Sequence, residues 1–406
     1  MHLSINCTTD AFAQSVARRS QCPPGSWLAR AAPLIASDAD RLIFLNIGAN
    51  KGFDLVSFLQ WYTDTNVTKG RWLQLLQDGS VAGSARCSNQ CCGVCGSCHQ
   101  MRPHGSPWAR PLRGIEMHAF EPMPSNAALL RRLVGATRIP ATIHNLAVGN
   151  ATWPPLIIDE ASPAGFEGAA PRQGSLDCGR HCSRVTQTTV DSFVRSHGLA
   201  HLAHVLIDAE GWDGLVLAGM ADTLRKKAVS VVEFEYSPKW AGVHPSGTAA
   251  LKQTLLQLGR SGYSCFWQDN YGGVAEATPP CWRDSFERIH PQSWQNLVCA
   301  CRFDIVALLR SEQAAAIVRQ KAAAARWGPR GGKGAGTGPG GSSRGMGGKN
   351  SWMSVGKGGG KGVGMAKAFG SFKGKGGWRD EDSLLAQIRM IIREELSAIR
   401  HNFSHR

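Results

Sequence analysis

The strongest constraint on the fold is a continuous apolar run, Leu42-Ile43-Phe44-Leu45, that ends in the glycine turn Gly48-Ala49-Asn50-Lys51-Gly52 and continues into an apolar segment through Trp61. A run that is apolar on both faces suits a strand at the centre of a parallel sheet. Further strands are expected at Ile115–Phe120, Thr142–Ala147, His204–Ile207 and Val229–Phe234, with helix-like stretches at 125–134, 190–198, 212–225 and 248–260 between them. Strand and helix patterns alternating in this way predict a doubly wound α/β sheet. A late pair, Tyr263–Gln268 and Arg302–Leu309, is expected to close it as an antiparallel edge hairpin.

Composition divides the chain further. Residues 1–40 precede the first strand as an N-terminal extension, and 41–310 hold the α/β domain. Within it, residues 64–114 break the rhythm with Gly, Ser, Cys, Arg and Pro and read as a Cys-rich insertion, with one apolar patch from Trp72 to Leu76. A helical extension, 311–327, leads to 328–378, which contains 21 glycines interspersed with Lys. Such a segment buries too little apolar surface to offset its ordering entropy and is expected to be disordered. In 379–406, Leu384, Leu385, Ile388, Ile391, Ile392, Leu396 and Ile399 fall at helical spacing behind the acidic start Asp380-Glu381-Asp382, which predicts an amphipathic C-terminal helix that docks, self-associates or binds a partner.

The net charge of +15 is unevenly spread: 311–406 carry 17 basic and 6 acidic residues, and the rest carry 28 and 24. Polyanion affinity is therefore expected of the tail and not of the body. Trp352, Phe369, Phe372 and Trp378 among its lysines suit stacking on single-stranded nucleic acid, and a plain flexible linker fits as well. No Gly-Lys pair is followed by Ser or Thr, so no phosphate-binding P-loop is present. No apolar run approaches the ~20 residues of a membrane-spanning helix, and the start Met1-His2-Leu3 lacks the pattern of a secretory signal. The expectation is a soluble, cytoplasmic protein in a reducing compartment.

Three elements carry the chemistry. A strand that opens into a helix through Gly48 and Gly52 brings backbone N–H groups close to a ligand, and Asn50 at the middle position breaks the G-x-G-x-x-G fingerprint of dinucleotide binders. Glu121 ends the next strand. It lies 73 residues after Gly48, but 22 once the 51-residue insertion is set aside, close to the ~20 expected of an acid that grips a ribose hydroxyl. A lone acid at a strand end is more often a solvated cap, and the glycine turn upstream favours the ligand reading here. Asp208-Ala209-Glu210-Gly211 emerge from the third strand into another glycine turn. Strand ends line the crevice of an open α/β sheet, although an Asp here also suits a cap for a helix at Trp212. Glu233 and Glu235 alternate along the following strand and share one face. His144 is a weaker candidate, since a lone His in a strand is usually structural.

Taken in order, Asn-Ile-Gly-Ala-Asn-Lys-Gly (46–52), Ala-Phe-Glu-Pro-Met-Pro-Ser-Asn (119–126), Asn-Leu-Ala-Val-Gly (145–149), Thr-Thr-Val-Asp-Ser-Phe (188–193), Ile-Asp-Ala-Glu-Gly (207–211) and Val-Val-Glu-Phe-Glu (231–235) resemble the successive motifs of the FkbM-like methyltransferases. The resemblance implies a Rossmann-like, seven-strand class I methyltransferase sheet and transfer of a methyl group from S-adenosylmethionine to a hydroxyl of a small molecule or glycan. It implies that Asn46, Gly48, Asn50 and Gly52 approach the methionine part of the cofactor, that Glu121 meets its ribose, and that Asp208 and Glu210 act at the acceptor. Asn46 stands where the family commonly has an acid, and Leu206 where a Lys often precedes Ile-Asp. An amide binds the cofactor without supplying charge, so the alternative is an inactive methyltransferase-like scaffold whose basic tail binds RNA or another polyanion.

Cys87, Cys91, Cys92, Cys95 and Cys98, with His99, supply the C-x-x-C spacing of a zinc site, and disulfides fit the cluster equally well. Cys178, His181 and Cys182 are candidate additional ligands. Cys299 and Cys301 alternate as buried small residues would.

Overall fold

The computed structural model describes residues 7–18, 26–37, 41–82, 114–152, 154–159, 182–243, 250–269, 273–288 and 295–326. Contacts divide the chain into Met1–Gln320 and Lys321–Arg406. The second unit is described only at the end of its first helix, so the Gly/Lys-rich tail and the C-terminal amphipathic helix lie outside the described residues.

The first unit opens with helices α1 (Asp10–Ala17) and α2 (Ser26–Ser37). Strand β1 (Leu42–Ile47) is followed by α3 (Phe53–Tyr62), α4 (Lys69–Gln77), α5 (Gly79–Ala82), β2 (Ile115–Phe120), α6 (Pro124–Thr137) and β3 (Ala141–His144). Two short pairs come next, β4 (Ala147–Val148) with β7 (Gln187–Thr188) and β5 (Leu156–Asp159) with β6 (Cys182–Val185). The chain then runs through α7 (Val190–Ser196), β8 (Leu202–Ile207), α8 (Asp213–Ala218), α9 (Ala221–Arg225), β9 (Val229–Tyr236), α10 (Trp240–Val243) and α11 (Ala250–Arg260). It closes with β10 (Ser264–Gln268), β11 (Val274–Glu276), β12 (Gln295–Ala300) and α12 (Phe303–Arg326).

Eight strands form the main sheet, in the order β11-β10-β12-β9-β8-β1-β2-β3. Neighbours from β9 to β3 are parallel, whereas β12 is antiparallel to both β9 and β10. This is the expected Rossmann-like sheet with β11 added at one edge. The chain leaves β1 toward β2 on one side and returns to β8 on the other, so the strand order reverses at β1. In such sheets that reversal opens a crevice at the carboxyl ends of the strands.

Both faces are covered, which is why the strands are apolar throughout. Leu45, Ile47, Val205, Ile207 and Phe234 pack with Phe193 of α7, Val216 of α8 and Leu251, Leu255 and Leu258 of α11. On the other face Leu42 and Phe44 pack with Leu28 of α2, Leu55 and Leu59 of α3, Trp72 of α4, Leu130 of α6 and Leu309 of α12. Each such side chain contributes about 1.5–3 kcal/mol on burial.

Several elements differ from the sequence expectation. Arg302–Leu309 begins α12 and is not a strand: Asp304 bonds the Ile305 N–H and pairs with Arg302, while the more buried Gln295–Ala300 takes the antiparallel place. The stretch 142–147 splits because the Asn145 amide donates to the carbonyls of Glu121 and Pro122, each at 2.9 Å. The 212–225 segment makes two short helices, broken at Gly219, where a Cβ would lie 1.9 Å from the Gly149 carbonyl oxygen. Helices α4 and α5 fall inside 64–114 yet belong to the packed core, with Trp72, Leu75 and Leu76 buried. The N-terminal 1–40 stretch is also tied in, by Phe12 and Val16 of α1 and Trp27 and Ile35 of α2, all buried.

Candidate active site

The turn after β1 is held open by left-handed backbone, with φ of 83° at Gly48, 41° at Asn50 and 76° at Gly52. At Gly48 a Cβ would sit 1.8 Å from the Asp208 carbonyl oxygen, so only glycine lets the ends of β1 and β8 approach this closely. Asp208 in turn donates its N–H to the Ile47 carbonyl at 2.9 Å. On the other side the N–H groups of Gly48 and Ala49 both reach the Phe120 carbonyl at 3.0 Å. The fold therefore brings Gly48, Glu121 and Asp208 together along one rim of the sheet.

Glu121 is buried at the end of β2. Its Oε2 accepts from the Asn50 N–H at 2.8 Å and its Oε1 from the Met123 N–H at 2.9 Å. Burial pushes this carboxyl up to about 7, with those two hydrogen bonds opposing. Asn46 is fully buried, and neither its Nδ2 nor its Oδ1 has a hydrogen-bond partner among the described residues. A buried amide in that state is rare. Trp72 supports the turn from α4 by donating its indole N–H to the Lys51 carbonyl at 2.6 Å; its place in an apparent insertion concealed this role.

Asp208 stands at the end of β8 and is exposed to solvent, although neighbouring groups crowd around its carboxyl. Burial pushes its carboxyl well above the usual carboxylate range, as do the charges of Glu235, Asp213, Glu210 and Asp54. Glu210, at φ 55°, forms an ion pair with Lys239. Asp213 and Lys239 were not singled out by the sequence reading, although an Asp two residues beyond a turn glycine is a legible signal for a carboxylate that binds backbone N–H groups. The cap for α8 is not Asp208, because the helix starts at Asp213 with Trp212 before it.

His144 takes a structural place. Its ring stacks on Phe120 and meets His118 with 3.1 Å between Nε2 and Nδ1, and burial lowers its pKa to about 4. Cys87, Cys91, Cys92, Cys95, Cys98 and His99, with Cys178 and His181, lie outside the described residues. Among the described residues no cluster of three or more His, Cys, Asp or Glu could hold a metal. Cys182 and Cys301 are free thiols. Cys299 is not simply a buried small residue: it forms a disulfide with Cys265 across β12 and β10, and Cys7 joins Cys281. Disulfides persist in oxidising compartments, whereas the sequence suggested a reducing one. No helix among the described residues is long and apolar enough to cross a membrane.

Residues 101–263 match the family model described as the methyltransferase FkbM domain. That segment is similar to the methyltransferase FkbM domain. The matched range runs from before β2 to the threshold of β10 and so includes Glu121, Asp208, Glu210, Asp213 and Glu235. The glycine turn lies upstream of that match, and the sheet brings it to the matched segment through β1. Among solved structures, a precorrin-6y C5,15-methyltransferase from Geobacter metallireducens GS-15 is similar at 9% identity and a TM-score of 0.26, covering 68% of this chain and 86% of that one. A likeness that distant adds nothing to the assignment. No curated protein matches the chain.

Proposed function

We propose that the protein is an S-adenosylmethionine-dependent methyltransferase that methylates a hydroxyl oxygen on a small molecule or glycan. The observation that carries this reading is the meeting of Gly48, Glu121 and Asp208 at the carboxyl ends of three adjacent strands, next to the reversal of strand order.

The residues present fit the cofactor. Asn46 offers a buried amide with donor and acceptor both unmet, beside a glycine turn suited to the methionine part, with Asn50 and Gly52 completing that turn. Glu121 offers a carboxylate to a ribose diol. When bound, S-adenosylmethionine supplies an electrophilic methyl group together with its leaving group. The chain's own work is then to align an acceptor hydroxyl and receive its proton. Asp208 suits that task, because a carboxyl with raised proton affinity accepts a hydroxyl proton more readily than an ordinary one. Glu210, paired with Lys239, shapes the acceptor side.

Calorimetric titration of the full chain with S-adenosylhomocysteine tests the reading. Binding at micromolar concentration is expected, and heat indistinguishable from dilution at millimolar ligand removes it. A panel of hydroxylated acceptors, read by product mass, then tests the oxygen assignment.

A further inference from the structure

Strands β8 and β9 run parallel with Leu206 beside Glu233 and Ile207 beside Phe234. The next residue on each is Asp208 and Glu235, so pleat alternation sends both side chains to one face of the sheet. Asp213 fastens the two strand ends. Its carboxylate has no exposed surface. Oδ1 accepts from the Ala209 N–H at 3.4 Å and the Glu235 N–H at 3.3 Å, and Oδ2 from the Gly211 N–H at 3.2 Å. One oxygen atom thus ties the residue after Asp208 to Glu235 itself. Glu210 is committed elsewhere, to Lys239.

We propose that Glu235 is a second catalytic residue of the methyl-transfer site, receiving the acceptor's proton together with Asp208, and that Asp213 is the positioning residue that holds the two side by side. This rests on the methyltransferase reading above. The groups facing the pair are Asp54 from α3, Glu210 and Asp213 from the β8 loop, and Lys239 and Ser237 beyond β9. Burial, with Asp213 and Glu210 adding to it, pushes Glu235 up to about 8, and Glu235 is the foremost charge acting on Asp208. Two carboxylates so placed raise each other's proton affinity and titrate as a pair. In the transfer step the acceptor's O–H proton passes to an ionised carboxylate of the pair, which gains that one proton. Meanwhile the acceptor oxygen gains the methyl carbon, and the sulfur keeps the electron pair of the bond that breaks.

The test needs no acceptor. Carboxyl carbon NMR titration of the full chain is compared for wild type, Glu235→Gln, Asp213→Asn and Glu210→Gln, each also titrated calorimetrically with S-adenosylhomocysteine. The Asp208 midpoint should fall by about one pH unit or more in Glu235→Gln, and both midpoints should fall in Asp213→Asn, a change that a merely structural role would not produce. Glu210→Gln should shift them less. Affinity for S-adenosylhomocysteine should change by less than about threefold in Glu235→Gln. An Asp208 midpoint unmoved in Glu235→Gln, with S-adenosylhomocysteine still bound, overturns this proposal alone. Absence of ligand binding by wild type removes the methyltransferase reading instead. Should Asp213→Asn fail to fold, the Glu235→Gln midpoint decides.

Discussion

The backbone N–H of Asn50 donates to Glu121 Oε2 at 2.8 Å, so the turn after β1 is fastened directly to the acid that ends β2. Two elements separated by 71 residues in sequence thereby share one carboxylate. The bond fixes where the glycine turn lies relative to the rest of the cleft.

That carboxylate should show a trade of stability against function. Its folded-state pKa of about 7 lies above the ordinary 4.5, so between these values the folded protein holds more protons than the unfolded chain and stability falls as pH rises. Glu235, at about 8, and Asp213, at about 7, act in the same direction. Thermal unfolding from pH 5 to pH 8 should show a falling midpoint, and Glu121→Gln should flatten it, raising the pH 8 midpoint by about 2 °C or more. The same variant should weaken S-adenosylhomocysteine binding at least about tenfold, by loss of roughly 1.4 kcal/mol. A variant with the wild-type pH slope contradicts the assignment.

Gly48→Ala should be damaging out of proportion to one methyl group. The new Cβ would collide with the Asp208 carbonyl oxygen at 1.8 Å, and alanine would be forced to a φ of 83°. A loss of at least ~2 kcal/mol in urea unfolding is expected. Since β1 and β8 would be pushed apart where the cleft opens, ligand affinity should fall even under conditions where the variant stays folded.

Trp72 distinguishes a packed element from an insertion. Trp72→Ala should cost about 3–5 kcal/mol, because the indole is fully buried and bonds the Lys51 carbonyl. Trp72→Phe keeps most of the volume, loses the hydrogen bond and should cost about 1–2 kcal/mol. Urea midpoints unchanged in both variants would show that α4 does not support the glycine turn.

The disulfides predict a specific alkylation pattern. In denatured, non-reduced protein, Cys7, Cys265, Cys281 and Cys299 should resist iodoacetamide while Cys182 and Cys301 react, as read by peptide mass. Replacing Cys7 and Cys281 together with Ser should cost about 2–4 kcal/mol, since that bond closes a 274-residue separation.

Much of the sheet was legible because its signals are local. The apolar run 42–45, the glycines at 48 and 52 and the acids at 121 and 208 each mark a strand end by their own immediate neighbours. What misled was equally local. Arg302–Leu309 is apolar enough for a strand, but Gln295–Ala300 takes the place between β9 and β10 and the later stretch begins a helix. Trp72 opens a short apolar patch within otherwise polar, cysteine-bearing sequence, and its burial against the turn at Lys51 depends on contacts made by folding. The disulfide partners of Cys7 and Cys265 are likewise set by proximity across elements distant in sequence.

By itself the sequence determined the alternation of strand and helix, the glycine that must adopt left-handed backbone and the chemical types available at each strand end, because these follow from residue-level sterics and hydrophobicity. Tertiary structure alone decided which carboxylates keep company. Asp213 became a clamp and Glu235 a neighbour of Asp208 only when β8 and β9 paired in register. The proton affinity of a carboxyl depends on the burial and the charges around it, and neither exists until the chain has folded.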